Sequence, residues 1–325
     1  MEEDKGSFAL FRFWQVKTMN RVALITPYFG EFPIWFDLYL YSCSVQHDIV
    51  DYYFYTDCKP PCHNYKNTFF INTSFKDYCS RVSEVLGITF TPDSPYKLCD
   101  LKPFLGLIHP EISSKYEFWG FADIDLLYGN LKIVVNDLNL KKYDVITTHT
   151  NRVAGHFTIV RSDSKLTNSC LKIPNWEELL CNKNHMSVDE DEWVFVLYPA
   201  VRQLRRLYHY IFRPLHIPMK YCFEGPINKV FNNRFSRRCF HEYGTTPIPE
   251  VGQVWTYNPV SGDLFNPKGG QIPYLHFLFF KKTPYKIREY FWRDDFFKLE
   301  SFSVKFNPPK APILIDVNSI RYGNQ

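Results

Sequence analysis

The chain has no glycine-rich phosphate loop. Neither G-x-G-x-x-G nor G-x4-G-K-[ST] follows its first apolar strand, which excludes a standard dinucleotide-binding or P-loop protein. No apolar run approaches the ~20 residues a membrane helix needs. The longest candidate, Leu275 to Phe280, stops at Lys281-Lys282. There is no sustained Lys/Arg stripe, and a net charge of +4 is too small to argue for nucleic acid. No repeat or low-complexity linker divides the chain. The 9 cysteines are odd in number and irregular in spacing. The opening MEEDKGSF is acidic and lacks an apolar signal core. Both features lead us to expect free thiols and a reducing cytoplasm. Cys58, Cys62 and His63 form C-x3-C-H, but the second ligand pair of a structural zinc site is not evident.

What is present is an ordinary globular composition of 325 residues, 45% hydrophobic and 22% charged, enough for one large domain or two intimately joined ones. Aromatics reach 18%, a content that suits clefts for sugar rings and bases as well as a core. Apolar strands are expected at 21–30, 49–57, 69–71, 116–125, 143–148, 155–163 and 271–282. Helical segments fall between the early strands, at 34–44, at 74–87 with Ser74 as cap and Gly87 as stop, and from Ser94-Pro95 onward. Strands alternating with helices predict an α/β fold with a mixed, mainly parallel sheet flanked by helices, and a less regular second half sharing that sheet.

The centre of the sequence is Lys115 to Leu131, KYEFWGFADIDLLYGNL. A deeply apolar run ends in Asp123 and Asp125. Along a strand, residues two apart face the same side. The pair would then project together from a strand's carboxyl end, where open α/β sheets bind ligands. Two hard oxygen ligands there suit Mg²⁺ or Mn²⁺, and such an ion suits a diphosphate. A bare D-x-D is also compatible with two solvated aspartates.

Six pieces in order carry a resemblance: TPYFG at 26–30, YKLCDLKP at 96–103, FWGFADIDLLYGNL at 118–131, GHFTIVRSD at 155–163, DEDEW at 189–193 and YLHFLFFKK at 274–282. Together they resemble metal-dependent glycosyltransferases of the GT-A (Rossmann-like) fold. More closely, they look like a little-characterised group of bacterial glycosyltransferase-like proteins found with surface-polysaccharide genes. The resemblance implies transfer of a sugar from a nucleotide diphosphate sugar, a UDP-sugar first among them, to a glycan or lipid-linked acceptor. It divides the chain into an appendage at 1–20, a nucleotide-sugar-binding half at 21–150, an acceptor-binding and catalytic half at 151–290 and a tail at 291–325. It assigns Asp123 and Asp125 to a Mn²⁺ or Mg²⁺ ion, with Asp123 also touching the ribose, and His276 to complete the metal shell. Lys281 and Lys282 become candidates for phosphates.

The same resemblance places base and ribose over Thr26, Pro27, Tyr28 and Phe29, with Asp57 able to accept from a base N–H. Lys97, Asp100 and Lys102 would reach ribose, diphosphate or donor sugar; a surface ion pair is the plainer reading of that trio. A general base is sought in Asp189, Glu190 and Asp191, with Asp191 preferred. Ser187 to Glu190 also reads as a capping box with acids in a helix's first turn. His156 and Trp193 are candidates for the acceptor, as is Trp255, although both tryptophans also fit a core. The basic, aromatic segment 202–221 is a candidate for peripheral contact with an anionic membrane surface. Two other classes share these features: a sugar-1-phosphate nucleotidyltransferase, which wants a glycine-rich basic loop where TPYFGEFP stands, and a non-catalytic nucleotide-sugar-binding protein.

Overall fold

A computed structural model describes residues 20–33, 35–59, 61, 63, 65–219, 221, 237–280, 311–317 and 320–323. Among them are the strands β1 (Val22–Pro27), β2 (Val50–Thr56), β3 (Thr68–Asn72), β4 (Phe118–Ala122), β5 (Leu126–Tyr128), β6 (Val145–Thr147) and β7 (Phe157–Arg161). Later come β8 (Arg238–Phe240), β9 (Trp255–Asn258), β10 (Asp263–Phe265), β11 (Tyr274–His276), β12 (Ile313–Ile315) and β13 (Ile320–Tyr322). The fold is α/β, as expected. Its main sheet has the order β3-β2-β1-β4-β7-β6-β8. Strands β1 to β4 run parallel, β7 is antiparallel to β4 and β6, and β8 is parallel to β6.

The central strands are apolar throughout because both faces of the sheet are covered. Ala23 and Ile25 of β1, with Trp119 and Phe121 of β4, lie in one core. Val22 and Leu24, with Phe118 and Ala122, lie in the other. This is the two-residue period of a strand applied to a sheet with no solvent face. Helix α1 (Phe36–Val45) covers the second core, and α2 (Phe75–Leu86) covers the first. The α2 termini follow the sequence signals: the Ser74 hydroxyl accepts from the Asp77 N–H, and Gly87 ends the helix at φ 68°.

Beyond the main sheet, β5 and β11 form an antiparallel ribbon, and β10-β9-β12-β13 form a second sheet. Leu127, Leu275, Trp255 and Ile313 join these pieces to α1 through Leu38 in a third core. Part of the expected tail, Ile313–Ile315 and Ile320–Tyr322, thus belongs to a sheet. Residues 1–19, Lys281, Lys282 and Cys62 lie outside the described residues. No helix among the described residues is long and apolar enough to cross a membrane.

Four expected elements differ. The strand expected at 271–282 is confined to Tyr274–His276 and passes into a 3₁₀ turn over Phe277–Phe279. The segment after Pro95 is a 3₁₀ helix to Phe104 and α-helical only over Leu105–Ile108; Pro103 lacks an N–H and blocks a regular α-helix there. The strand expected to 125 stops at Ala122. The helix expected from Ser187 opens instead as a π-helical turn, Val188–Glu192, before Trp193–Leu197. Ser187 sits at φ 53° and caps nothing with its side chain, so the capping-box reading is corrected.

A close approach supports β4 from outside. A Cβ on Gly106 would run into the indole of Trp119, which is fully buried. Gly106→Ala should therefore cost about 1–3 kcal/mol through overpacking. Chemical denaturation of wild type and variant checks this; equal midpoints would show that Trp119 has room to move.

Candidate metal centre

The main sheet fixes where charge can emerge. The chain leaves β1 for β2 and β3 on one side and returns to β4 on the other, so the order reverses between β1 and β4. That switch point opens a crevice at the carboxyl ends of both strands. Thr26 donates its hydroxyl hydrogen bond to the Ala122 carbonyl across it, at 3.2 Å.

Asp123 and Asp125 follow directly. They lie in the bend between β4 and β5, not on one face of a strand as the two-residue period predicts. Three contacts make the bend: the Asp123 N–H donates to His156 O (3.1 Å), Trp35 Nε1 to Ile124 O (2.9 Å), and the Phe277 N–H to Asp125 O (3.0 Å). Pairing of β5 with β11 sets His276 opposite Leu126, beside Asp125. His276 Nε2 lies 3.3 Å from Asp125 Oδ2. One ligand atom each from Asp123, Asp125 and His276 falls within 4.8 Å of the others. Among the described residues this is the group of carboxylate, imidazole and thiol side chains placed to hold a metal ion. Two carboxylates and one imidazole make a donor set for a divalent cation.

A second layer orients the ligands. Thr246 Oγ1 lies 3.3 Å from His276 Nδ1 and 3.4 Å from His156 Nε2. The rings of His156 and His276 stack at 4.2 Å. Burial, then the neighbouring His276 and His149, push the His156 pKa well below the usual imidazole value, so this ring is neutral. His149 meets His156 edge-on and turns its Nδ1 to Glu242 Oε2 at 3.1 Å. Sequence reasoning missed Trp35, His149, Glu242 and Thr246. No spacing links them to the motif; they arrive from the turn before α1, the loop after β6 and the loop after β8.

Lys102 joins the centre to the acidic turn. Its Nζ is 2.7 Å from Asp123 Oδ1 and 3.8 Å from Asp189 Oδ2. Burial works against the ammonium, but Asp123, Cys99 and Asp189 outweigh it and hold the pKa well above the ordinary lysine value. Asp189 is buried, and burial pushes its pKa up to about 7; Glu190 and Asp123 add to this and Lys102 opposes it. Gly155 makes room for the turn. A Cβ there would sit 2.6 Å from Asp189 Oδ2 and 2.9 Å from Glu190 Oε1. Glu190 is held by the Gly155 N–H and Arg152, each at 3.3 Å. Asp191, the preferred base, points outward to Arg205 at 3.6 Å and is largely exposed. Of the three acids, the structure brings Asp189 to the centre.

Other expected residues fall elsewhere. Lys97 and Asp100 form a buried pair at 2.8 Å, not a surface one. Lys97 Nζ donates to the carbonyls of Leu179 (2.7 Å) and Asn184 (2.8 Å). Asp100 accepts from the N–H groups of Met186 (2.8 Å) and Val188 (3.0 Å), and His185 Nδ1 lies 3.1 Å away. The pair clamps the loop that leads into Asp189 and has no face left for a ligand. Phe29 is buried against Phe75 and Tyr78. Trp193 is buried and donates to Ser169 Oγ at 2.9 Å, and Trp255 packs against Phe280. These three are core residues. Tyr28 is half-buried and donates to Glu31 O at 3.1 Å; burial, then Cys58 and Asp125, raise its pKa. Asp57 is exposed and accepts from the Gly30 N–H at 2.8 Å, tying the loop after β1 to the end of β2.

Fold and ligand group together define an α/β protein with a candidate divalent-cation centre at a sheet switch point. The chain belongs to a family of unknown function, DUF6625, whose profile matches residues 24–214. The match begins within β1 and takes in both aspartates and the acidic turn; His276 lies beyond it. No curated protein matches the chain.

The clamp makes a sharp prediction. Removing one partner of a buried ion pair leaves the other charge uncompensated, so Lys97→Met or Asp100→Asn should each cost about 3–5 kcal/mol. Lys97→Met together with Asp100→Asn should cost clearly less than the sum of the single changes. A double-mutant cycle by urea denaturation reads this, and strict additivity would show that the pair acts independently. The pH dependence has a definite sign. Burial opposes ionisation of Asp100, but His185, Lys97 and two backbone N–H groups hold its pKa down to about 2. Its stabilisation is therefore complete above about pH 4, the ordinary aspartate value, and disappears as pH falls through about 2.

Proposed function

We propose that this chain is a metal-dependent glycosyltransferase that takes its sugar from a nucleotide diphosphate sugar, in a GT-A-like arrangement. The observation carrying the reading is the convergence of Asp123, Asp125 and His276 at the carboxyl end of β4, beside the largely enclosed ammonium of Lys102. These residues would hold a divalent ion, which would supply Lewis-acid neutralisation of a departing diphosphate. Lys102 adds a fixed positive charge at the same place and keeps Asp123 oriented. Thr246 holds the His276 ring with Nε2 turned to the centre. Thr26, Tyr28 and Asp57 frame the loop that would receive base and ribose. Asp189 is the group placed to accept a proton from an acceptor hydroxyl, since its pKa near neutrality suits a general base. Cytoplasmic placement and a role in cell-surface polysaccharide synthesis form part of this reading.

The nucleotidyltransferase alternative is disfavoured by the loop after β1, TPYFGEFP, which offers one glycine and no basic residue to a triphosphate. A non-catalytic binding protein would keep the metal-dependent binding and lose the turnover.

Melting curves with UDP and GDP, with and without Mn²⁺, test the centre. Stabilisation should need both components and reach about 2.7 kcal/mol at a hundredfold excess over Kd. Asp125→Asn should abolish it. Hydrolysis of UDP-, GDP-, CMP- and dTDP-sugars with Mn²⁺ then reads the class. Asp189→Asn should lose about a hundredfold or more in transfer while still binding nucleotide, and Asp191→Asn should stay near wild type. Absence of any metal-dependent binding would sink the proposal, whatever the turnover.

A further inference from the structure

We propose that residues 199–216 form a docking surface for an anionic phospholipid bilayer. The segment from Pro199 to Tyr221 contains no Asp or Glu, while Arg202, Arg205, Arg206 and Arg213 all fall within it. Its sequence shows no clean amphipathic period, and the structure supplies the reason. A helix over Pro199–Leu207 turns Ala200, Val201 and Leu204 into the core. A π-helical turn over Tyr208–Phe212 then shifts the phase. Side chains within and after that turn face water: Tyr210 is 81% exposed, Ile211 48% and Leu215 64%.

Cations and apolar side chains are thus presented side by side. Phe195, Arg202, Arg205, Arg206, His209 and Tyr210 line an open concavity of about 440 Å³. The guanidinium groups of Arg202 and Arg205 lie over the Phe195 ring, 5.7 and 5.3 Å from its centre. Arg205 is further held by Asp191, so Arg202 and Arg206 are the freer cations at the rim. A soluble phosphate compound would account for the arginines alone. A charged surface with an apolar interior accounts for both sets, the arginines meeting headgroup phosphates and Tyr210, Ile211 and Leu215 entering the acyl boundary. The contact between Arg205 and Asp191 would set the acidic turn at that surface, within reach of a lipid-linked acceptor if the transferase reading holds. The docking itself does not depend on that reading.

The test is sedimentation of the purified chain with vesicles of phosphatidylcholine alone or mixed with phosphatidylglycerol, without nucleotide or metal. Binding to the mixed vesicles is expected, weakening with salt. The variant R202A/R206A/R213A should bind them about 100-fold more weakly, from roughly a fivefold loss per charge. Y210S/L215S should weaken binding several-fold with its salt dependence unchanged. Melting temperatures near wild type would show that both variants fold, since every substituted side chain is exposed. Equal binding to neutral vesicles, no binding, or binding indifferent to the arginine substitutions would overturn the proposal. So would release by inorganic phosphate far beyond chloride at equal ionic strength with Y210S/L215S behaving as wild type, which would make the concavity a soluble-phosphate site. Nucleotide melting shifts in the same variants report the metal centre separately, so the two readings fail independently.

Discussion

Strand β4 is buried on both faces, and this constraint sets the position of every charged group near it. An aspartate within Phe118–Ala122 would forfeit the roughly 1.5–3 kcal/mol that each large buried side chain contributes and add an unpaired charge to a dry core. The first carboxylate can appear only where the strand stops. There the main sheet changes direction, the backbone bends under Thr26, Trp35 and His156, and Asp123 comes under the Lys102 ammonium. The centre is therefore a boundary phenomenon: charge collects where the apolar sheet ends and water begins.

Much of this boundary was legible in the sequence. Continuous apolar runs marked β1, β2 and β4, because strands without a solvent face cannot alternate. The Ser74 and Gly87 signals bounded α2 because capping is local chemistry. Asp123, Asp125, His276 and Lys102 were also named, on motif and order. What the sequence hid was long-range. Asp189 and Asp191 are equivalent by composition; a π-helical turn decides that one is buried near Lys102 and the other exposed near Arg205. Lys97 and Asp100 look like a surface pair at helical spacing, but a 3₁₀ segment turns them into the interior. Trp193 and Trp255 illustrate the opposite ambiguity, since a tryptophan serves a sugar face or a core equally well until its neighbours are known.

The acidic turn depends on features with no chemistry of their own. Asp100 holds the backbone N–H groups of Met186 and Val188, so the residue before Asp189 is fixed from below. Gly155 leaves the space above. Burial raises the Asp189 pKa, whereas Lys102 keeps it from rising further, and the same lysine leans on Asp123. One ammonium thus couples two carboxylates that belong to different parts of the chain.

The ribbon of β5 and β11 has a consequence for how the molecule opens. It brings together Asp125 and His276, which stand 276 − 125 = 151 positions apart in the sequence. An ion shared by them would act as a reversible staple across nearly half of the chain, closing a loop of the length at which a covalent cross-link is worth about 5 kcal/mol of chain entropy. Such a staple changes cooperativity more than shape. It would tie the unfolding of the strands around Trp255 and Ile313 more closely to that of the main sheet, to which the third core already joins them through Leu38.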